Sequence, residues 1–353
     1  MKRKLIIILA GVLMITSLVY GINDEDDNGF SEEKWRESVQ AVDRSQFHAL
    51  HVDGGKYFNP WMVMEMKGFA EIMKWRFFAD KQAYSELEES ALPAVKPLTA
   101  EFINTHDNFM SWIGHASVII KSAGSVILVD PVFGDIPFVK KRRTQSAITY
   151  NDASRITGSV TVLLTHNHYD HLDSKSMESI PAGAKFIVPA GLRKTVEKLG
   201  ASDIAEMDWW EELRVDGIKI IFLPSQHWSK RGMFDMNKSL WGSFLVDTGK
   251  KRIFVCGDSG YSLLYREIAA KYPAIDYAFM SLGAFHPRWF MHYSHQDADE
   301  AVRGFRDLNA KVMVPFHWGA FRLGDEPEGY PAIHVKLKFP EARITDCGEV
   351  IKI

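Results

Sequence analysis

Three imidazoles and a carboxylate fall within the six residues 166–171 of the run Thr165-His166-Asn167-His168-Tyr169-Asp170-His171, directly after the apolar stretch Val160–Leu164. In extended backbone alternate side chains share a face, so His166 and His168 point together, and a turn then swings Asp170 and His171 toward a second position. Nitrogen and oxygen donors packed this closely form the donor set of a zinc-type metal, and the two directions leave room for two ions. Further donors follow other apolar stretches. His227 comes after Ile220-Ile221-Phe222-Leu223, Asp258 after Ile253-Phe254-Val255-Cys256-Gly257, and His317 after Val312-Met313-Val314-Pro315-Phe316. Together they complete two coordination spheres with one shared carboxylate.

Those donors need strand ends to stand on. Period-2 and continuous apolar runs predict strands at Phe109–Ile113, Ser117–Lys121, Val126–Val129, Val160–Leu164, Lys185–Val188, Ile218–Leu223, Ser243–Val246, Arg252–Val255, Tyr277–Ser281 and Lys311–Val314. Helices are expected at Leu192–Leu199, Leu263–Lys271 and Ala298–Leu308, the last opened by an aspartate version of a capping box, Asp297 with Glu300. This is an α/β pattern. Residues 31 to about 100 carry helical patterning without strand alternation, up to the breaker Leu92-Pro93-Ala94-Val95-Lys96-Pro97. Within them Trp61–Phe78 is apolar around more than one stripe, with Lys67, Lys74 and Arg76 interspersed, which suits either a core helix or one lying in a membrane interface.

The N-terminus has the layout of an export segment. Lys2, Arg3 and Lys4 precede an apolar run from Leu5 to Tyr20, and Asp24-Glu25-Asp26-Asp27 follows. Residues 1–22 are expected as a cleaved signal or an uncleaved anchor, which places the protein in an exported, periplasmic, extracellular or membrane-anchored setting. Across its 353 residues, Lys plus Arg (42) against Asp plus Glu (45) leaves −3, too balanced for a general nucleic-acid binder. Cys256 and Cys347 are too few for a disulfide scaffold, and their pairing stays open.

The ligand-bearing segments, in this order, resemble the metallo-β-lactamase fold superfamily, and the resemblance runs further through Asn59-Pro60-Trp61, Trp112-Ile113-Gly114-His115-Ala116, Asp130-Pro131, His166–Asp173, Asp208-Trp209-Trp210-Glu211-Glu212, Pro224-Ser225-Gln226-His227-Trp228, Leu240-Trp241-Gly242-Ser243 and Pro287-Arg288-Trp289-Phe290-Met291. Within it they look like the N-acyl-phosphatidylethanolamine-hydrolysing phospholipase D family. One departure stands out: Ser294 precedes His295 where that family leads one to expect glutamine. The resemblance, which covers roughly residues 55–325, implies an αββα sandwich; its domain is expected over 101–353, after the helically patterned extension over 23–100. It also implies two zinc ions and hydrolysis of a phosphodiester to phosphatidic acid and an N-acylethanolamine. A lactonase or nucleotide phosphodiesterase on the same site is the alternative, because fold and metal do not fix substrate.

Carried over position by position, His166, His168 and His227 would hold one zinc, Asp170, His171 and His317 the other, and Asp258 would bridge them. Such a pair lowers the pKa of a bridging water so that hydroxide exists at neutral pH. Asp170 could orient that hydroxide and take its proton. His295, ahead of the capped helix, could donate to the phosphate or leaving oxygen, or be an exposed helix-entry residue. Tyr169, between two ligands, should project near the substrate. Asp130 would accept a ligand histidine's other N–H, or merely cap its strand. His115 is expected to be structural or to stand behind the ligands. Lys140-Lys141-Arg142-Arg143 could meet anionic lipid heads or form a solvated face. The expected partners are a membrane phospholipid and the membrane surface, with no nucleic acid; a homo-oligomer is left open.

Overall fold

A computed structural model describes residues 29–65, 67–78 and 81–353. The expected signal or anchor at residues 1–22 lies outside the described residues, among which no helix is long and apolar enough to cross a membrane. The chain divides into two compact units, residues up to Val42 and residues Asp43–Ile353. In the first, the helix Glu32–Gln40 starts where Ser31 Oγ accepts the Lys34 N–H at 3.3 Å.

Residues 43–100, expected within a helical extension, belong to the same unit as the rest of the chain and are not wholly helical. After a 3₁₀ turn at Arg44–His48 come two short antiparallel strands, β1 (Val52–Asp53) and β2 (Lys56–Tyr57). Gly54 and Gly55 join them at φ of 54° and 74°, the left-handed pair that a two-residue hairpin requires and glycine supplies without strain. The helix expected over Trp61–Phe78 spans only Phe69–Phe78. Trp61 lies before it, buried, with its indole N–H donating to Gln226 Oε1 at 3.1 Å. Trp75 is also buried, stacked on Phe290 at 4.9 Å and donating to Asp325 Oδ2 at 2.7 Å. Indoles bury where a partner for the N–H exists, so both tryptophans serve the core and not an interface.

The rest is the mixed α/β sandwich. Strands β3 (Phe109–Gly114), β4 (Ser117–Ser122), β5 (Ser125–Val129), β6 (Val160–Leu163), β7 (Lys185–Pro189) and β8 (Asp203–Met207) are followed by β9 (Glu212–Val215), β10 (Ile218–Leu223), β11 (Ser243–Asp247), β12 (Arg252–Val255), β13 (Tyr277–Ser281), β14 (Val312–Phe316) and β15 (Ile351–Lys352). One sheet has the order β15-β3-β4-β5-β6-β7-β8 and the other β14-β13-β12-β11-β10-β9. In each, antiparallel strands give way to parallel ones, at β5/β6 in the first sheet and at β12/β13 in the second. Strands β3 to β5 are buried on both faces, which is why they read as continuous apolar runs. The unanticipated strands β8, β9 and β15 include exposed charged residues and lack such a run. Outside the second sheet, the helices Leu264–Lys271 and Ala298–Asp307 pack on each other, and the latter packs on β13. The capping box is present: Asp297 Oδ1 accepts the Glu300 N–H at 2.8 Å and Glu300 Oε2 accepts that of Asp297 at 3.1 Å.

Candidate metal centre

The loop after β6 carries the histidine run, and it is fixed from below by Asp130 at the end of β5. Asp130 Oδ1 accepts the Thr165 N–H at 2.7 Å, and Oδ2 lies 2.5 Å from Thr165 Oγ1 and 2.7 Å from His171 Nδ1. The second sheet approaches closely here. The Gly242 N–H donates to Thr165 O at 3.0 Å, and a Cβ on Gly257 would collide with the Gly242 carbonyl and the Thr165 side chain. Glycine at 257 thus lets the next residue, Asp258, reach the histidine loop. Three residues around the site hold left-handed backbone without being glycine: His115 at 50°, Asp130 at 42° and His317 at 64°. Such conformations cost about 1–3 kcal/mol each and persist where surrounding structure over-determines them.

The donors gather into two groups, His166, His168, His227 and Asp258 in one and His115, Asp170, His171 and His317 in the other, with ligand atoms in each within 4.8 Å of one another. Asp258 stands between them. Its Oδ2 is 4.0 Å from His166 Nε2, 3.8 Å from His227 Nε2 and 3.3 Å from His171 Nε2, while its Oδ1 is 3.1 Å from His317 Nε2. The outer ring nitrogens are engaged: His227 Nδ1–H donates to Ser294 O at 3.1 Å, and His171 Nδ1–H to Asp130. That leaves each Nε2 lone pair facing inward, the tautomer a metal ligand needs.

In the first group His168 Nδ1 lies 2.9 Å from His166 Nε2 and 3.3 Å from His227 Nε2, whereas the second group is less satisfied. Nε2 of His171 and His317 and Oδ1 of Asp258 are buried without a hydrogen-bond partner. Burial opposes ionisation of Asp258, yet His317 and His171 outweigh it and hold the carboxyl well below the usual carboxylate range. The same contest runs the other way at His171, where burial lowers and Asp258, Asp170 and Asp130 together raise the imidazole well above its ordinary value. His166 and His227 are driven well below theirs, first by burial. A buried site of converging lone pairs and carboxylates, otherwise drawing protons onto its own histidines, fits divalent cations.

Comparison with known proteins agrees with this geometry. A profile of the beta-lactamase superfamily domain matches residues 126–318. The chain is 31% identical over 254 residues to "N-acyl-phosphatidylethanolamine-hydrolyzing phospholipase D 1" of Caenorhabditis elegans, covering 67% of this chain and 70% of that one. The chain belongs to the metallo-β-lactamase superfamily. Within it, it belongs to the N-acyl-phosphatidylethanolamine-hydrolysing phospholipase D-like family and is a metal-dependent hydrolase. A second relative, "N-acyl-phosphatidylethanolamine-hydrolyzing phospholipase D, mitochondrial" of Saccharomyces cerevisiae, is 32% identical over 231 residues, covering 62% of this chain and 49% of that one. The fold also matches the solved structure of Igni18, a metallo hydrolase from Ignicoccus hospitalis, with a TM-score of 0.54 at 20% identity over 69% of this chain and 97% of that one.

In this metallo-β-lactamase chain the remaining expected residues fall as follows. His295 Nδ1 lies 3.9 Å from Asp258 Oδ2, and burial pushes its imidazole down to about 4. Tyr169 is held at the rim, with the Arg231 guanidinium 4.1 Å over its ring and the Phe138 ring 5.6 Å away. Arg142, expected in a lipid-facing basic run, is buried and donates to Thr144 O, Val132 O and Gly134 O, so the run presents Lys140, Lys141 and Arg143 and not a continuous patch. His115 lies behind the second group, its Nε2 2.9 Å from Asp170 Oδ2. Its only local signal is the Gly114-His115 turn. The tryptophan motifs prove to be braces: Trp241 Nε1–H donates to Ser225 O at 3.0 Å and Trp209 Nε1–H to Trp241 O at 2.6 Å, behind the loop that carries His227. Asn59 Nδ2 donates to His227 O itself at 3.2 Å.

Proposed function

We propose that this hydrolase is a dinuclear zinc phosphodiesterase that cleaves N-acyl-phosphatidylethanolamine-type phospholipids to phosphatidic acid and N-acylethanolamine. The observation that carries the reading is Asp258 standing between two histidine groups, the arrangement a shared carboxylate between two ions needs. His166, His168 and His227 would hold one zinc, Asp170, His171 and His317 the other. When bound, the ions supply water activation at neutral pH and polarise phosphoryl oxygens. Water adds to phosphorus, the bond to the ethanolamide oxygen breaks, and that oxygen takes up a proton. Asp170, whose Oδ2 is tied to His115, accepts the proton from the attacking water. His295, kept neutral by burial, donates an N–H to the phosphate or the departing oxygen. Tyr169 lines the entrance. Export through residues 1–22 and a site facing a membrane belong to the same reading.

Metal content and turnover test it together. The purified chain should hold about two zinc ions, lose activity in chelator, and release N-acylethanolamine when offered a panel of phospholipids, a lactone and bis(p-nitrophenyl) phosphate. Asp258→Asn should lower metal content and turnover far more than thermal stability. Preference for the lactone over every phosphodiester would replace this reading with the lactonase.

A further inference from the structure

Two loops that flank the metal centre present large apolar side chains to solvent. Phe138 is 88% exposed, Met233 80% and Phe234 82%. Apolar side chains this exposed on loops that meet at one residue mark an interaction surface. Both loops are tied to the same residue: Phe138 meets the Tyr169 ring edge-on at 5.6 Å, and Arg231, beside the Met233–Phe234 tip, covers that ring at 4.1 Å. Since Tyr169 sits between the donors His168 and Asp170, the exposed tips stand beside the loop that carries the donors.

The tips are held in place. Asp235 Oδ1 accepts the N–H groups of Arg231 at 3.1 Å and Gly232 at 2.8 Å, closing the turn beneath Met233 and Phe234. Arg231 anchors that turn to the histidine loop by donating to Leu172 O at 2.5 Å and Asn167 O at 3.4 Å. Phe138 adopts φ of 69°, a left-handed conformation unfavourable for a bulky residue, and in it projects its ring outward. Exposed Lys140, Lys141 and Lys230 flank the three tips. Apolar tips with exposed lysines two to four residues away along the chain match a bilayer with anionic head groups, where ring and thioether enter the acyl boundary and ammonium groups meet phosphates.

We propose that Phe138, Met233 and Phe234 insert into an anionic lipid surface and seat the mouth of the metal centre on it. This deepens the phospholipid reading above and rests on it only for the substrate. It also moves the membrane contact from the tryptophan-bearing helix at Phe69–Phe78, whose Trp75 is committed to the core, to the two loops beside the site.

The test reads insertion at the tip itself, so that any anchoring by residues 1–22 does not confuse it. Both native cysteines are buried, so F234C in the full chain takes an environment-sensitive thiol dye selectively. Phosphatidylcholine vesicles containing phosphatidylglycerol should shift the emission to the blue. The same dye on F77C, at an exposed position of the helix, should not respond. M233S/F234S should lower turnover of vesicle-borne N-acyl-phosphatidylethanolamine by roughly tenfold or more and leave turnover of bis(p-nitrophenyl) phosphate unchanged. Replacing Lys140, Lys141 and Lys230 by Ser should abolish the preference for anionic vesicles. An unshifted F234C in a chain that sediments with vesicles overturns the proposal, as does a shift that follows protein concentration without lipid, which would mark a second copy. If F234C shifts while the wild-type chain leaves the phospholipid intact, the docking surface stands and the substrate assignment fails.

Discussion

His115 Nε2 stands 2.9 Å from Asp170 Oδ2, and the carbonyl of the same His115 accepts the backbone N–H of His317 at 2.9 Å. One residue therefore fixes two members of the second donor group through different atoms. Its ring also lies 4.2 Å from that of His317, and burial, with His317 next, pushes its imidazole down to about 3, so it is a neutral N–H donor. Trp112 Nε1–H in turn donates to the His115 carbonyl at 2.6 Å, which gives that tryptophan motif a structural reason.

His115→Leu should lower metal affinity at the second group by about 10–100-fold, because partners that orient a ligand contribute on that scale. His115→Gln, which keeps an N–H donor, should recover part of it. Competition with a chelator measures both, and equal affinities in Leu and wild-type proteins would return His115 to a packing role.

His295 stands beside Asp258 with its ring edge-on to His227 at 5.2 Å, and its Nδ1 is buried without a hydrogen-bond partner. His295→Ala should reduce kcat/KM for a diester by about 10²–10⁴-fold with zinc content unchanged. Steady-state kinetics beside metal analysis decide it. Unaltered kinetics would remove His295 from the reaction.

Trp61 gives a prediction about stability. Trp61→Phe keeps most of the ring but leaves Gln226 Oε1 buried without its donor, a loss of about 1–3 kcal/mol. Because Gln226 precedes His227, activity should fall as well, while vesicle binding should be unaffected. Urea unfolding and sedimentation measure the two, and lost binding at unchanged stability would restore the interfacial role to this tryptophan.

His286 supplies a pH dependence away from the metal groups. Its Nδ1 lies 2.8 Å from Tyr84 Oη, and burial, followed by Arg288, lowers its imidazole to about 4. The unfolded chain binds this proton near pH 6.5 and the folded chain only near 4, so stability should be full above about 6.5 and fall as pH drops toward 4. The contribution is at most about 1.4 kcal/mol per pH unit. His286→Asn should flatten that part of the profile in pH-dependent unfolding, and an unchanged slope would assign it to other groups.

Sequence alone determined what local chemistry dictates. The donors of the 166–171 run are neighbours along one loop, and His227, Asp258 and His317 each follow an apolar run long enough to be recognised as a strand, so residue type and position sufficed to find them. The capped helix at Ala298–Asp307 was legible for the same reason, since both halves of its cap lie within four residues. Tertiary structure decided the rest. That Asp258 stands between the two groups depends on Gly257 allowing the second sheet close to Thr165, a contact across 92 residues of chain. His115 joined the donors only because β3 and β14 place its turn against His317. The sign of apolar exposure was decided there too. Trp61 and Trp75 found acceptors and turned inward, whereas Phe138, Met233 and Phe234, no more hydrophobic in sequence, sit on turns braced so that they face out. Hydrophobicity fixes the cost of exposure; only packing determines which side chains bear it.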